Sequence, residues 1–214
     1  MIAAIMPVRG RKDQTVRNVQ RLIRNAGRGF DWALTCIGGE DEADVLMACS
    51  AAGAKVRHIL GRPRLTYWQA MQEETQLSNP PLIANLANDL LPGRDWLGRA
   101  LAEYRCCFGA ADGMIGFNDG IHGEGLSPHF LISHNLLVQI GGWPVWYQHN
   151  YGDAELCARA QALGRYSKAA WAVLYHDHPF VGGDPDSVYA EGMSSNDQDA
   201  RLFHERRAAR WPKV

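Results

Sequence analysis

Leu82-Ile83-Ala84-Asn85-Leu86-Ala87-Asn88-Asp89 is an apolar run of strand length that ends on a carboxylate. Ser78-Asn79-Pro80-Pro81 breaks the chain ahead of it, so the run reads as a buried strand bounded by turn residues. Beyond Asp89 come a Pro92-Gly93 turn and a helix with Asp95 as its N-cap, whose Trp96, Leu97, Ala100, Leu101 and Tyr104 share one face. Upstream, Ile2 to Met6 is a first strand, stopped by Pro7 and the basic loop Val8-Arg9-Gly10-Arg11-Lys12. A helix opening at Asp13 follows, with Val16, Val19, Ile23 and Ala26 at helical spacing and Gly27 and Gly29 as its stop. Trp32 to Ile37 is a second strand that runs into Gly38-Gly39 and the acidic Glu40-Asp41-Glu42. Ala43, Leu46, Met47 and Ser50 mark a second helix, Val56 to Leu60 a third strand, and Thr66 caps a helix through Gln76.

This β-α-β-α-β order, closed by the strand at 82–87, predicts an α/β protein with a mostly parallel central sheet and right-handed crossovers. Such sheets bind ligands at the carboxyl ends of their strands, so the loops after Met6, Ile37, Leu60 and Ala87 are expected to line one crevice. The second half is less regular. Met114 to Phe117, Phe130 to Ser133 and Ala169 to Tyr175 are strand-like, Asp153 to Leu163 is helical and ends at Gly164, and Asp197 to Arg210 reads as a basic, solvated terminal helix.

Composition removes several classes. With 46% hydrophobic and 21% charged residues the 214-residue chain is ordinary globular protein, read as a single domain. Lys and Arg number 22 against 23 Asp and Glu, a net charge of −1, so no bulk field draws the chain to nucleic acid or anionic lipid. The apolar runs fall far short of the roughly 20 residues that cross a bilayer. The N-terminus carries no basic leader, so a soluble cytoplasmic protein is expected. Cysteines 36, 49, 106, 107 and 157 show no Cys-x-x-Cys spacing and read as reduced thiols.

No Walker-type loop, Gly-x-Gly-x-x-Gly or Gly-x-Ser-x-Gly is placed where it would carry chemistry, which leaves carboxylates and histidines at strand ends. Asp89, beside Asn88, either ligates a hard divalent cation or caps the turn that follows. Asp153, in Gly152-Asp153-Ala154-Glu155, is either a base or a helix N-cap. His176-Asp177-His178-Pro179 puts two imidazoles on one side of an extended segment. Asn118-Asp119 and His129 stand among Gly113, Gly116, Gly120, Gly123 and Gly125 in what reads as a substrate loop.

Taken in order along nearly the whole chain, these features resemble the nucleotide-sugar glycosyltransferases of the GT-A fold, family 2-like, and in particular a compact subset associated with bacteriophages. Ile2 to Pro7 resembles the family's first strand and its proline. Glu40, Asp41 and Asp44 fall where the family recognises the donor's base and ribose. Leu86-Ala87-Asn88-Asp89 resembles the Asp-x-Asp region, reduced to one carboxylate, and Gly141-Gly142-Trp143 ahead of Gly152 to Arg159 resembles the acceptor segment and the helix of the catalytic base.

The resemblance implies a GT-A, Rossmann-like α/β/α sandwich over residues 1–214, with a donor half at 1–110, an acceptor half at 111–195 and a terminal helix at 196–214. It implies Asp153 and Asp119 as catalytic residues, and Pro7, Arg9, Glu40, Asp41, Asp44, Arg62, Asn88 and Asp89 as the donor site. Asp89, His176 and His178 would hold Mn²⁺ or Mg²⁺, and His129, Gly142, Trp143 and Glu155 would face the acceptor. The donor would be a UDP-sugar and the reaction an inverting transfer. The acceptor tried first would be a hydroxymethylated pyrimidine in DNA, with no membrane and no obligate protein partner. Two other readings stay open: a metal-dependent hydrolase built on His122, His129, His176 and His178, and a non-catalytic nucleotide-sugar-binding module.

Overall fold

The computed structural model describes residues 1–61, 64–177 and 186–211. Strands β1 (Ile2–Pro7), β2 (Trp32–Gly38), β3 (Lys55–His58) and β4 (Leu82–Asn85) alternate with helices α1 (Lys12–Asn25), α2 (Ala43–Ala51) and α3 (Tyr67–Ser78). After β5 (Leu90–Pro92) come α4 (Trp96–Phe108), β6 (Met114–Asn118), β7 (Phe130–Ser133) and α5 (His134–Gln139). The chain then forms α6 (Gly152–Ala162), β8 (Tyr166–His176), α7 (Ser187–Met193) and α8 (Asn196–Ala208). The eight strands lie in the order β3-β2-β1-β4-β7-β6-β8-β5. Strands β1 to β4 are mutually parallel, β7 and β5 run against their neighbours, and β6 and β8 are parallel, so the sheet is mostly parallel as expected.

Two apolar layers sandwich this sheet, and β1 shows why. Its alternate side chains point to opposite faces. Ile2, Ala4 and Met6 pack with Val19 and Leu22 of α1, Leu46 of α2 and Trp96, Leu97 and Leu101 of α4. Ala3 and Ile5 pack on the other face with Trp68 and Met71 of α3, Leu136 and Leu137 of α5, Trp143 and Leu156. A strand buried on both faces is apolar at every position, which is why 2–6 reads as a continuous run rather than an alternating one.

Local details depart from the sequence reading. Helix α1 begins one residue before Asp13, and its N-cap is Arg11 in the left-handed conformation (φ 48°). Asp95 is also left-handed (φ 59°) and its side chain makes no capping bond to α4. Thr66 does cap α3, in a full capping box with Gln69. Pro92, read as part of a Pro-Gly turn, ends β5, a strand the sequence reading did not assign. Arg206, read as part of a solvated face, is 7% exposed. Among the described residues no helix is long and apolar enough to cross a membrane.

Candidate functional site

Leu90 pairs with His176 in the antiparallel β5–β8 register, and the amide of Asp177 donates to the Asp89 carbonyl at 2.9 Å. That pairing delivers the end of β8 to the end of β4. The His176 Nε2 lies 3.3 Å from Asp89 Oδ1, and Arg11 Nη1 donates to Asp89 Oδ2 at 3.0 Å. Burial alone would raise the Asp89 carboxyl, but His176, His129 and Arg11 outweigh it and hold it at about 2. Burial pulls His176 the other way, and its carboxylate partner nonetheless raises it above the ordinary imidazole value. His129, its ring 5.3 Å from that of His176, is pushed down to about 3 by burial and by the His176 charge. His129 is thus a neutral imidazole at physiological pH.

Both His129 ring nitrogens are buried without a hydrogen bond, and among the described residues Asp89 Oδ1 is buried with no polar partner beyond its ion pair to His176. Buried polar atoms of this kind normally have partners, so the cluster holds unused ligand capacity. Among the described residues no three His, Cys, Asp or Glu side chains are arranged to hold a metal by themselves. The set fits a hard cation of the kind that takes one or two carboxylates and completes its shell with substrate phosphates. Of the hydrolase set, the described residues bring together His129 and His176, while His122 is bonded to Asp119. His178, the second imidazole of that motif, and Arg62 lie outside the described residues.

Asp119, at the end of β6, is 2% exposed and accepts from the amides of Ile121 and His122, from His122 Nδ1 at 2.5 Å and from Lys168 Nζ at 3.5 Å. Lys168 also donates to the carbonyls of His122, Gly123 and Leu126. Burial would raise the Asp119 carboxyl, yet the His122 bonds and the Lys168 charge bring it well below the usual range. A carboxylate so engaged shapes the loop from 119 to 126; it is not free to take a proton. His122 is drawn into that loop and not into a histidine cluster.

Asp153 opens α6 as a half-buried side chain, and withdrawal from water raises its carboxyl above the ordinary value. It feels the charges of His122 and His149, and His176 feels that of Asp153, so the two carboxylates share one electrostatic neighbourhood. Gly152 precedes it where a Cβ would lie 2.3 Å from the buried Trp68 ring. The Trp68 ring therefore leaves no room for a side chain at position 152.

The expected acceptor residues separate. Gly142 has φ 81° and open space where a Cβ would stand. Trp143 is a core residue, 4% exposed, stacked on Trp68 and Phe130 and donating to Thr75 Oγ1 at 2.9 Å. Glu155 is fully buried, accepting from Tyr147 Oη at 2.7 Å, from Arg206 and from Arg159. Neither faces an acceptor.

On the donor side, Asn88 is 6% exposed and donates to the Arg9 carbonyl and Thr15 Oγ1 while its own carbonyl accepts from Asn18. It pins the 9–11 loop instead of facing a ligand. Pro7 ends β1 and leads into that loop. Glu40, Asp41 and Asp44 are exposed, and Glu40 accepts from the Gly61 amide. Glu42, which the sequence reading passed over, is the buried acid of this run and pairs with Arg9 at 2.9 Å. Arg9 and Arg11 are also engaged by α7 and its N-cap: Glu191 takes a fork from Arg9 and also pairs with Arg64, and Asp186 takes a fork from Arg11.

No protein-family model and no curated protein matches the sequence. Solved structures do match in three dimensions. The mannosyltransferase of Pyrobaculum calidifontis, solved with GDP-Man and Mn²⁺, superposes with a TM-score of 0.70 at 12% identity, covering 100% of this chain. This chain spans 65% of that one. Glucosyl-3-phosphoglycerate synthase of Mycobacterium tuberculosis, solved with Mn²⁺, UDP-Glc and phosphoglyceric acid, gives 0.67 at 13% identity over 96% of this chain and 79% of that one. The fold is the GT-A fold. At this identity the likeness speaks for the architecture, and the chemistry rests on the residues above.

Proposed function

We propose that this chain is a nucleotide-sugar-dependent glycosyltransferase with its donor diphosphate seated between the 9–11 loop and Asp89. The observation that carries the reading is the Asp89–His176 pair. It is a buried carboxylate paired with an imidazole, just beyond the carboxyl end of a central strand, in a fold shared with enzymes solved holding UDP-Glc or GDP-Man and Mn²⁺. Asp89 and His176 would hold Mn²⁺ or Mg²⁺, which when bound neutralises charge on the departing diphosphate. His129, a buried neutral imidazole, packs its ring 5.3 Å from that of His176.

Asp153 takes the proton of the acceptor hydroxyl. The hydroxyl oxygen forms the bond to the anomeric carbon as the carbon–oxygen bond to the diphosphate breaks, and that electron pair leaves with the phosphate. A carboxyl held above its ordinary value is a better proton acceptor for this task. Arg11 and Arg9 orient phosphate oxygens once α7 yields them, since guanidinium forks match phosphate geometry. A single displacement inverts the anomeric centre.

The acceptor we test first is a hydroxymethylated pyrimidine in DNA, where a sugar would cap the exocyclic hydroxyl. Release of UDP or GDP from UDP-glucose and GDP-mannose, with Mn²⁺ and then with chelator, is the primary assay, and the product anomer is read by NMR. Metal-dependent release that Asp89→Ala abolishes is the expected result. No release with either donor sinks the transferase reading, and a retained anomer removes Asp153 as the base of a single displacement.

A further inference from the structure

Asp199, in the first turn of α8, is a buried carboxylate, 1% exposed, with no Lys or Arg ion pair among the described residues. Its Oδ1 accepts from the backbone amide of Gln148 and its Oδ2 from those of His149 and Asn150, each at 2.9 Å. Ser195 Oγ donates to Oδ2 at 3.2 Å. Three consecutive peptide N–H groups converging on one anion are a concave nest, here filled by a side chain of the same molecule. Without the carboxylate those three donors would lose their partner, since the loop is neither helix nor strand and offers no ladder to satisfy them.

The loop so gathered leads straight into the catalytic helix. Tyr151 follows with φ 66°, Gly152 is pressed against Trp68, and Asp153 is next. Helix α8 is itself fixed to α6 by the buried Arg206–Glu155 pair, 51 residues apart in sequence. The frame therefore closes on itself: α6 holds the far end of α8 through Glu155, and the near end of α8 holds the entry to α6 through Asp199. Docking the terminal helix alone would require only the first of these contacts.

We infer that Asp199 is a positioning residue for the transfer step, setting the entry of α6 and with it the place of Asp153 against the acceptor hydroxyl. The inference rests on the transferase reading. Asp199 bonds the 148–150 amides and Ser195 and makes no hydrogen bond to the 9–11 loop or Asp89 among the described residues, so its direct action is on the entry to α6. Small displacements of a reacting group cost large factors in rate, so the effect belongs in turnover.

The test compares wild type with Asp199→Asn, isosteric but one amide donor in place of an acceptor, and with Asp197→Asn, an exposed acid on the same turn. Nucleotide release from UDP-glucose with Mn²⁺ and backbone hydrogen exchange are both followed. Asp199→Asn is expected to lower kcat at least tenfold at an unchanged KM for UDP-glucose and to speed exchange at 148–150, while Asp197→Asn matches wild type. Wild-type kcat in Asp199→Asn overturns the inference, and so does an equal loss of kcat and donor affinity, which would mark a general structural role. Should the variant not fold, wild-type exchange decides: amides 148–150 as slow as core strand amides support the anchor, and fast exchange overturns it. A wild-type protein that releases no nucleotide sinks the transferase reading instead, and the exchange comparison still tells whether Asp199 orders the loop.

Discussion

Asp153 is raised by burial, and that fact makes two predictions with one substitution. A carboxyl whose folded value exceeds its unfolded value is preferred neutral by the fold, so its charge at neutral pH subtracts stability. The sign follows: this group's contribution improves as pH falls through the folded value, and is least favourable above it. Asp153→Asn is therefore expected to abolish transfer, leave nucleotide affinity unchanged and raise the melting midpoint at pH 7. The gain over wild type should shrink as the pH is lowered into the acid range. A lowered midpoint at pH 7 would mean the carboxylate is stabilised by partners and is not poised as a base. At this scale the sequence placed Asp89 and His176 near strand ends and Asp153 at a helix start, because such boundaries are visible in the apolar pattern. It was uninformative about Glu155, Trp143 and Asn88, whose roles depend on Arg206, Thr75 and Arg9 at remote positions.

Helices α7 and α8 attach by opposite physics. Arg206 reaches the fully buried Glu155 while lying 3.8 Å over the Trp146 ring. Removing one partner of a buried pair costs about 3–5 kcal/mol, and Arg159, which still donates to Glu155, keeps the loss near the lower figure. Arg206→Met, which preserves contact with the Trp146 ring, should thus lower the melting midpoint by about 6–12 °C, at 2–4 °C per kcal/mol for a chain of this size; a change under 2 °C would show that Arg159 alone satisfies Glu155. Helix α7 buries none of its residues and is held to the 9–11 loop by charge. Part-exposed pairs contribute about 0.2–1 kcal/mol each, so Glu191→Gln, which removes the Arg9–Glu191 pair and leaves Arg9 on Glu42, should tighten UDP or GDP binding by no more than about fivefold. Weakened binding in calorimetry would instead make Glu191 part of the donor site. Neither this contact nor β5 is visible in the sequence: three residues carry no period, and β5 exists only because the end of β8 pairs with it.

For the whole molecule, the parallel half of the sheet was legible because each of its strands lies close in sequence to a helix that covers it; β6, β7 and β8 were legible as strands, but the antiparallel placement of β7 between β4 and β6 was not, because pairing between segments remote in sequence leaves no period. The molecule carries a net charge of −1. Arg9, Arg11 and Arg206 are all paired with carboxylates, so a long-range field contributes little to ligand capture. On the transferase reading nucleotide binding comes from local contacts, and mass action makes it measurable without an acceptor. A ligand at about a hundred times its Kd adds about 2.7 kcal/mol to the native state, and at 2–4 °C per kcal/mol the midpoint rises by about 5–10 °C. Titration with UDP and with GDP is expected to give that rise for one of them in the presence of Mn²⁺, to lose most of it when the ion is chelated, and to lose it again in Asp89→Ala. A rise that survives chelation would assign the diphosphate to Arg9 and Arg11 alone, and Asp89 would then serve to orient Arg11 and His176 and not to hold a cation.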